Sequence, residues 1–151
     1  MLVAWRITKQ RHDPWDPSGA RLHGARWNAR GHAVIYASDS FAGALLEILA
    51  HAARPRTLPG AHHAVRIELP ESVVEVVEAG RIAGWEERES EAARAFGTRW
   101  LEERRSVALA VPALPSRPVG RTILINPAHP ASARLAVSAP FPVPWDERLF
   151  G

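Results

Sequence analysis

Short apolar runs alternate with polar and proline-rich segments along the whole chain, and this pattern predicts several short strands and two longer helices. Alternating apolar and polar positions are typical of a strand with one buried face. On this basis, strands are predicted over residues 2–7, 33–38, 64–69, 72–77, 107–111, 122–125 and 135–138. Apolar residues spaced by three and four positions predict a helix over 41–53, and helical charge patterning predicts another over 86–105. Strands and helices do not alternate regularly, so we expect an α+β fold: a single compact domain over 1–151 with a mixed, mainly antiparallel β core and flanking helices.

The first of these helices separates an apolar stripe from a carboxylate. The stripe comprises Phe41, Leu45, Ile48, Leu49 and Ala52. Glu47 and His51 lie four residues apart on a different face, so this carboxylate points away from the stripe. Residues 38–40 (SDS) offer N-caps for the helix, and Pro55 ends it.

Three further segments depart from regular periodicity. Residues 9–31 are polar and rich in glycine and proline, which predicts a long functional loop. Gly97 is a weak point in the helix predicted over 86–105, because glycine disfavours helix interiors. The closing segment 140–145 (PFPVPW) carries aromatic residues and is expected to pack on the domain.

Composition narrows the classes of protein that are possible. The chain has 151 residues, 46% hydrophobic, and no Cys, which excludes disulfides and cysteine nucleophiles. No apolar run approaches the roughly 20 residues of a membrane-spanning helix, and no export signal opens the chain, so we expect a cytoplasmic protein without membrane contact. The net charge is +3, and all basic residues except Lys9 are spread arginines, which argues against a nucleic-acid groove.

Familiar catalytic and metal-binding motifs are missing from the sequence. Phosphate-binding glycine loops, the nucleophile elbow and the HExxH zinc motif do not occur. His62 and His63 are adjacent in a predicted strand and would point to opposite faces, so we predict no metal site. What remains is a polar group formed by residues 24–28 (GARWN), Tyr36 and Glu47; taken singly, each is also compatible with an ordinary surface or core position.

Together these residues resemble a known family. The segment 24–31 (GARWNARG), followed by 34–38 (VIYAS) and 44–51 (ALLEILAH), resembles the opening signature of the RES domain, the toxin of RES–Xre toxin-antitoxin pairs. Segments 126–130 (NPAHP) and 145–150 (WDERLF) are similar to the second half of that family.

The family is named for an Arg, a Glu and a Ser. The Arg and the Glu fall on Arg26 and Glu47, whereas Ala113 stands where the serine is expected, after Val111 and Pro112. Ser116 is the nearest hydroxyl and is therefore the candidate replacement.

The resemblance implies a fold similar to ADP-ribosyltransferases and an enzyme that consumes NAD+ as its substrate, with no cofactor. Arg26 would grip the pyrophosphate, since a guanidinium forms paired, charge-assisted hydrogen bonds. Tyr36 would stack on the cationic nicotinamide, and Glu47 would stabilise the oxocarbenium-like ribose in the transition state. These three are the catalytic candidates. Further NAD+-binding candidates are Trp27, Asn28 and Ser116.

The resemblance also implies a partner, an Xre-type helix-turn-helix antitoxin that forms a hetero-oligomer with the toxin and makes the DNA contacts. Several alternatives stay open at this point. They are a ribonuclease toxin, an ADP-ribosyltransferase with a macromolecular target, and a catalytically degenerate module that only binds the antitoxin. The acceptor that replaces nicotinamide is water, phosphate or a macromolecule, and the sequence does not choose among them.

Overall fold

One mixed sheet organises the molecule. The computed structural model describes residues 1–52, 54 and 56–151. Its strands are β1 (Leu2–Lys9), β2 (Ile35–Ser38), β3 (His62–Leu69), β4 (Val74–Val76), β5 (Ala108–Pro112), β6 (Arg121–Ile125), β7 (Ala136–Val137) and β8 (Phe141–Pro142). Its α-helices are α1 (Ser18–His23), α2 (Phe41–Ala50) and α3 (Glu91–Glu103).

The sheet confirms the expected α+β class and the mainly antiparallel core. Its order is β4-β5-β6-β2-β1-β3-β7, and β8 also pairs with β3. All pairs are antiparallel except the parallel pair of β4 with β5. Strands β2 and β1 therefore lie in the middle of the sheet, although β2 is only four residues long.

Side-chain alternation gives the two faces of the sheet different contents. On one face, Ile35 of β2 and its partner Ile125 of β6 belong to a fully buried aliphatic cluster. On the other face, Tyr36 and its partner Leu124 lie with the aromatic residues that pack under α3. Because side chains two apart share a face, Ser38 is on the same side as Tyr36.

Helices α2 and α3 cover separate halves of this second face. The cluster under α3 contains Trp27, Trp85 and Trp100. The cluster under α2 contains Ile7 and Ala44. A cleft is left between the two clusters, and its floor is formed by the middle of the sheet.

Helix α2 begins as predicted and packs closely on the sheet. The hydroxyl of Ser40 accepts a hydrogen bond from the Gly43 N–H at 2.9 Å, which confirms the N-cap. The buried residues of the helix are Gly43 and Ala44, with Phe41, Leu45 and Ile48 beside them. The small side chains of these two residues let the helix approach the sheet. Ala52 lies beyond the end of the helix and is exposed, so its assignment to the apolar stripe is wrong. The predicted helix end at Ala53 and Pro55 lies outside the described residues.

Several other elements differ from the prediction in their presence or their bounds. The long polar loop contains α1, which was missed because six residues are too few to show helical periodicity. The predicted strand over 72–77 begins with a 3₁₀ turn and is a strand only from Val74. Helix α3 begins at Glu91 because Ser90 caps it by accepting from the Ala93 N–H. The C-terminal segment packs on the domain as expected, through β8 and through Val143 and Trp145.

Gly97 is a contact point of α3, and its assignment as a weak point is wrong. The helix runs through it without a break, and Gly97 is buried against the backbone of Trp27. A Cβ at this position would overlap the carbonyl oxygen of Trp27. On the next residue, the hydroxyl of Thr98 accepts a hydrogen bond from the Ala29 N–H at 2.9 Å. Helix α3 thus fixes the backbone of residues 27–29 at two adjacent points.

Substituting Gly97→Ala is expected to lower the free energy of unfolding by about 1–3 kcal/mol, because the added methyl must displace backbone atoms. Chemical denaturation monitored by tryptophan fluorescence measures this loss. Gly19→Ala is the matched control: it is also helical, nothing lies near its Cβ position, and its variant should be as stable as the wild type or slightly more stable. Equal stability of the two variants would contradict the close contact at Gly97.

Candidate active site

A cavity of about 1090 Å³ occupies the cleft between the two clusters, beside α2 and the turn at residues 25–28. This volume lies slightly above the range of about 300–1,000 Å³ that is usual for ligand pockets. Arg26, Tyr36 and Glu47 all line it. The structure therefore brings the three catalytic candidates together, although they are 10 or more residues apart in the sequence.

Arg26 reaches the cavity from the tip of a tight turn. Ala25 and Asn28 pair through two backbone hydrogen bonds, which leaves Arg26 and Trp27 as the central residues of the turn. Gly24 leads into the turn with a φ of 70°, a left-handed conformation that glycine adopts without strain. Trp27 is only 2% exposed and packs on Trp85, whereas Arg26 faces the cleft.

The guanidinium of Arg26 is partly engaged by backbone carbonyls. Nη1 donates to the carbonyls of Trp85 and Glu87 at 2.8 and 2.6 Å, and Nη2 donates to that of Arg88 at 3.3 Å. An arginine has five N–H donors, so one on Nε and one on Nη2 are left for a ligand. Arg26 therefore holds residues 85–88 as one wall of the cleft and still offers two donors.

The hydroxyl of Tyr36 ties the turn to the sheet. It accepts a hydrogen bond from the Trp27 N–H at 3.0 Å and donates one to Oδ1 of Asn28 at 2.7 Å. Asn28 is fully buried, and its amide group donates to the carbonyls of Ala20 and Ala29. Burial raises the pKa of Tyr36 well above its ordinary value, so the phenol stays neutral and keeps its proton for Asn28.

Glu47 lines the cavity from α2, where its side chain is 33% exposed. Burial raises the pKa of Glu47 above its ordinary value, and the nearby charges of His51 and Arg26 offset part of that rise. Oε2 of Glu47 lies 3.7 Å from Nδ1 of His51, which itself contacts the Glu47 carbonyl at 2.8 Å. The cleft thus holds a carboxylate that is incompletely solvated and is not tightly paired.

The charge of the cavity lining is strongly unbalanced. Its basic residues are Arg6, Lys9, Arg26, Arg54 and Arg88. Among the described residues that line it, Glu47 is the one acidic residue. The cavity is therefore suited to a ligand with several negative charges and one locus of positive charge. No group of three or more His, Asp or Glu side chains among the described residues is arranged to hold a metal ion.

Arg6 is a site residue that sequence reasoning missed. Its guanidinium donates to the carbonyls of Pro14 and Tyr36 at 2.6 and 2.8 Å, and to that of Asp16 at 3.4 Å. Burial lowers the pKa of Arg6 to about 10, with the charge of Asp16 acting in the opposite direction. An arginine inside the apolar run 2–7 was the signal that could have found it, because a buried strand accepts a charge only when it is paired or hydrogen-bonded.

Of the other predicted NAD+-binding residues, Trp27 lines the cavity, whereas Asn28 and Ser116 do not. Trp27 contacts the cavity but is mostly buried in the core, and the Asn28 side chain is used entirely by protein groups. Ser116 does not line the cavity, and its side chain lies against Gly120. Ala113 is buried just after β5. The assignment of Trp27, Asn28 and Ser116 to NAD+ binding stays a prediction.

Comparison with known proteins assigns the chain to a family. The family model described as the RES domain matches residues 3–146. This chain belongs to the RES domain family. A Prs ADP-ribosylating toxin of Sphingobium sp. (strain YBL2) is 36% identical over 135 residues, which are 83% of each chain. The Toxin Res of Pseudomonas putida is 34% identical over 152 residues, which are 99% of this chain and 100% of its own.

A solved structure shares the fold of this chain. The M. tuberculosis MbcT-MbcA toxin-antitoxin complex contains a chain that superposes with a TM-score of 0.77, covering 98% of this chain and 86% of its own. The two sequences are 18% identical, so this likeness shows a shared fold. In the RES domain described here, the segment that carries the family signature is the turn that Tyr36 and α3 hold against the cleft.

Tyr36→Phe is expected to lower the free energy of unfolding by about 1–3 kcal/mol, because it leaves the Trp27 N–H and Asn28 Oδ1 without a partner. Urea denaturation measures the change. The ring stays in place, so loss of stability in this variant reports on the hydroxyl alone. An unchanged free energy of unfolding would show that the turn does not depend on this hydroxyl.

Proposed function

We propose that this RES domain is a toxin enzyme that cleaves the bond between nicotinamide and ribose in NAD+. The single observation that carries the proposal is the cavity, in which Arg26, Tyr36 and Glu47 meet among an excess of basic residues. The names of the Res toxins and of the Prs ADP-ribosylating toxin support the same class of activity.

The basic residues of the cavity would bind the pyrophosphate. The two free N–H groups of Arg26 are on neighbouring nitrogens, which suits two hydrogen bonds to phosphate oxygens. Arg88 is the last residue of the segment that Arg26 holds, and its side chain adds a second positive charge to the lining of the cleft. Positive charge concentrated in a low-dielectric cleft also attracts an anionic substrate from solution.

Tyr36 and Glu47 would act at the other end of the substrate. The nicotinamide ring of NAD+ is cationic, and the π-face of Tyr36 attracts a cation. When the C–N bond breaks, its electron pair leaves with nicotinamide as a neutral molecule, and positive charge develops on the ribose. Glu47 stabilises that charge in the transition state, and the leaving group needs no proton from a second acid.

Transfer of ADP-ribose to a macromolecule is the second candidate function. It is favoured by the name of the Sphingobium relative, which describes an ADP-ribosylating toxin. Both functions share the first step, loss of nicotinamide, and differ only in the acceptor. Mass analysis of the product separates water, phosphate and a macromolecule as acceptors.

The partner in this proposal is an Xre-type antitoxin with a helix-turn-helix domain. The solved structure that shares the fold is a toxin-antitoxin complex, which supports an antitoxin as partner. In the proposed hetero-oligomer of this chain with its antitoxin, the antitoxin would cover the cleft and make the DNA contacts. No helix among the described residues is long and apolar enough to cross a membrane.

Glu47→Gln is expected to lower kcat for nicotinamide release by about 10²–10³-fold, because it removes a charge that acts mainly in the transition state. Chromatographic detection of nicotinamide after incubation with NAD+ measures the rate. Glu147→Gln is the matched control, since that residue is exposed and lies outside the cavity lining. Unchanged NAD+ in the wild-type reaction, with RNA degraded instead, would support the ribonuclease alternative; neither reaction would support the degenerate binding module.

The raised pKa of Glu47 gives two linked pH effects. The acidic limb of the kcat/KM profile, which reports on the free enzyme, should have its midpoint above 4.5, the ordinary value for Glu, because the carboxylate must be ionised to act. The folded state disfavours the ionised form, so the wild type loses stability relative to Glu47→Gln as pH rises through that folded pKa. The variant should therefore be the more stable protein at pH 7 and equally stable below pH 4. A variant that is less stable than the wild type at pH 7 would contradict the burial of this charge.

A further inference from the structure

Two hydroxyl groups on the floor of the cleft make no hydrogen bond to any other described residue. Ser38 of β2 and Thr122 of β6 are direct partners across the antiparallel pair of strands. Both line the cavity, and they are only 5% and 8% exposed. Thr57 is the third described Ser or Thr residue in the lining, and it is exposed.

These hydroxyls lie on the same face as the candidate catalytic residues. Ser38 is two residues after Tyr36, so the two side chains leave β2 on the same side. Side chains of direct cross-strand partners have Cβ atoms about 4.5–5.5 Å apart, which places Thr122 beside Ser38. Helix α2 crosses above this point, where a Cβ on Gly43 would lie 3.5 Å from Cβ of Ser38. Glu47 follows one turn later, about 6 Å along the helix axis.

Neither hydroxyl has a hydrogen-bond partner among the described residues. No hydrogen bond joins Ser38 Oγ or Thr122 Oγ1 to another described residue, and neither oxygen is sealed from solvent. Nearly buried polar groups are normally hydrogen-bonded, because leaving one without a partner costs stability. A pair of such groups that opens only into a cavity therefore indicates a ligand that supplies the partners.

We propose that the Ser38 and Thr122 hydroxyls together bind the vicinal diol of the nicotinamide ribose. This rests on the proposed function, in which Tyr36 holds the nicotinamide and Glu47 faces the ribose. Each hydroxyl is both a donor and an acceptor, and so is each hydroxyl of a cis-diol, so two adjacent pairs match without any charge. The pair also fills the role left open by Ala113 and by Ser116, which does not line the cavity.

The test compares two ligands in a protein that binds without turnover. In the Glu47→Gln background, calorimetry gives the Kd of NAD+ and of an NAD+ analogue whose nicotinamide ribose lacks both the 2′- and the 3′-hydroxyl. Ser38→Ala and Thr122→Val should each weaken NAD+ binding by about threefold to tenfold, as expected for one lost hydrogen bond. Neither substitution should change the Kd of the dideoxy analogue. Without ligand, the thermal midpoint of either variant should equal that of the parent or lie slightly above it, because no described protein group loses a partner and an unpaired hydroxyl is removed.

Thr8→Val is the matched control. Its hydroxyl is also buried without a partner, but it does not line the cavity, so the Kd of both ligands should stay as in the parent. The same three substitutions in the otherwise wild-type protein should give matching changes in kcat/KM for NAD+.

The outcomes separate the two proposals. Equal affinity of Ser38→Ala, Thr122→Val and their parent for NAD+, or equal losses for both ligands, would overturn the diol site while leaving the cleavage of NAD+ intact. A wild-type protein that neither binds nor cleaves NAD+ would overturn the proposed function and the diol site together.

Discussion

The close packing of the turn at residues 25–28 against the sheet and α3 is the constraint on which the rest of the site depends. The turn is fixed from two sides, by the hydroxyl of Tyr36 and by the backbone contact at Gly97. With its backbone held, Trp27 fills the core and Arg26 is directed into the cleft. Arg26 in turn holds residues 85–88 through their backbone carbonyls, so one anchored turn positions this side of the cavity.

Arg26 and Tyr36 each have a structural role and also line the cavity. Tyr36 offers a ring to the cavity and uses its hydroxyl for the fold, while Arg26 divides its donors between backbone carbonyls and the open space. A substitution at either position alters the geometry of the cleft as well as its chemistry. Loss of activity in such variants has to be read together with their stability, whereas Glu47 has no comparable structural duty.

Local patterns in the sequence were sufficient to predict most strands and both longer helices, whereas the main cleft residues were identified through the resemblance of their segments to the RES domain. Alternation located most strands, and the separate face of Glu47 followed from helical spacing. Short elements such as α1 and β8 were missed because six and two residues cannot display a period. Gly97 was misjudged because helix propensity describes an isolated helix, whereas here the missing Cβ allows a tertiary contact.

What the sequence could not give was the partnership between distant residues. Ser38 and Thr122 are 84 positions apart, and only the register of β2 with β6 makes them neighbours. Ser116 is close in sequence to the position of the expected serine, yet the loop that follows β5 turns its side chain toward Gly120. Proximity along the chain was therefore a poor guide to which hydroxyl serves the cleft.

The polar groups of the cleft share an energetic feature that links stability to function. The carboxylate of Glu47 is partly desolvated, two floor hydroxyls have no protein partner, and several cations face one acid. Each arrangement costs stability in the empty protein, and each is relieved by a ligand that brings phosphate oxygens, a diol and a cationic ring. Binding to the folded state alone raises stability by mass action, so such a ligand stabilises the folded protein while it is bound. The same polar groups are available to any ligand or partner that covers the cleft, so a ligand and a covering partner would compete for one set of polar contacts.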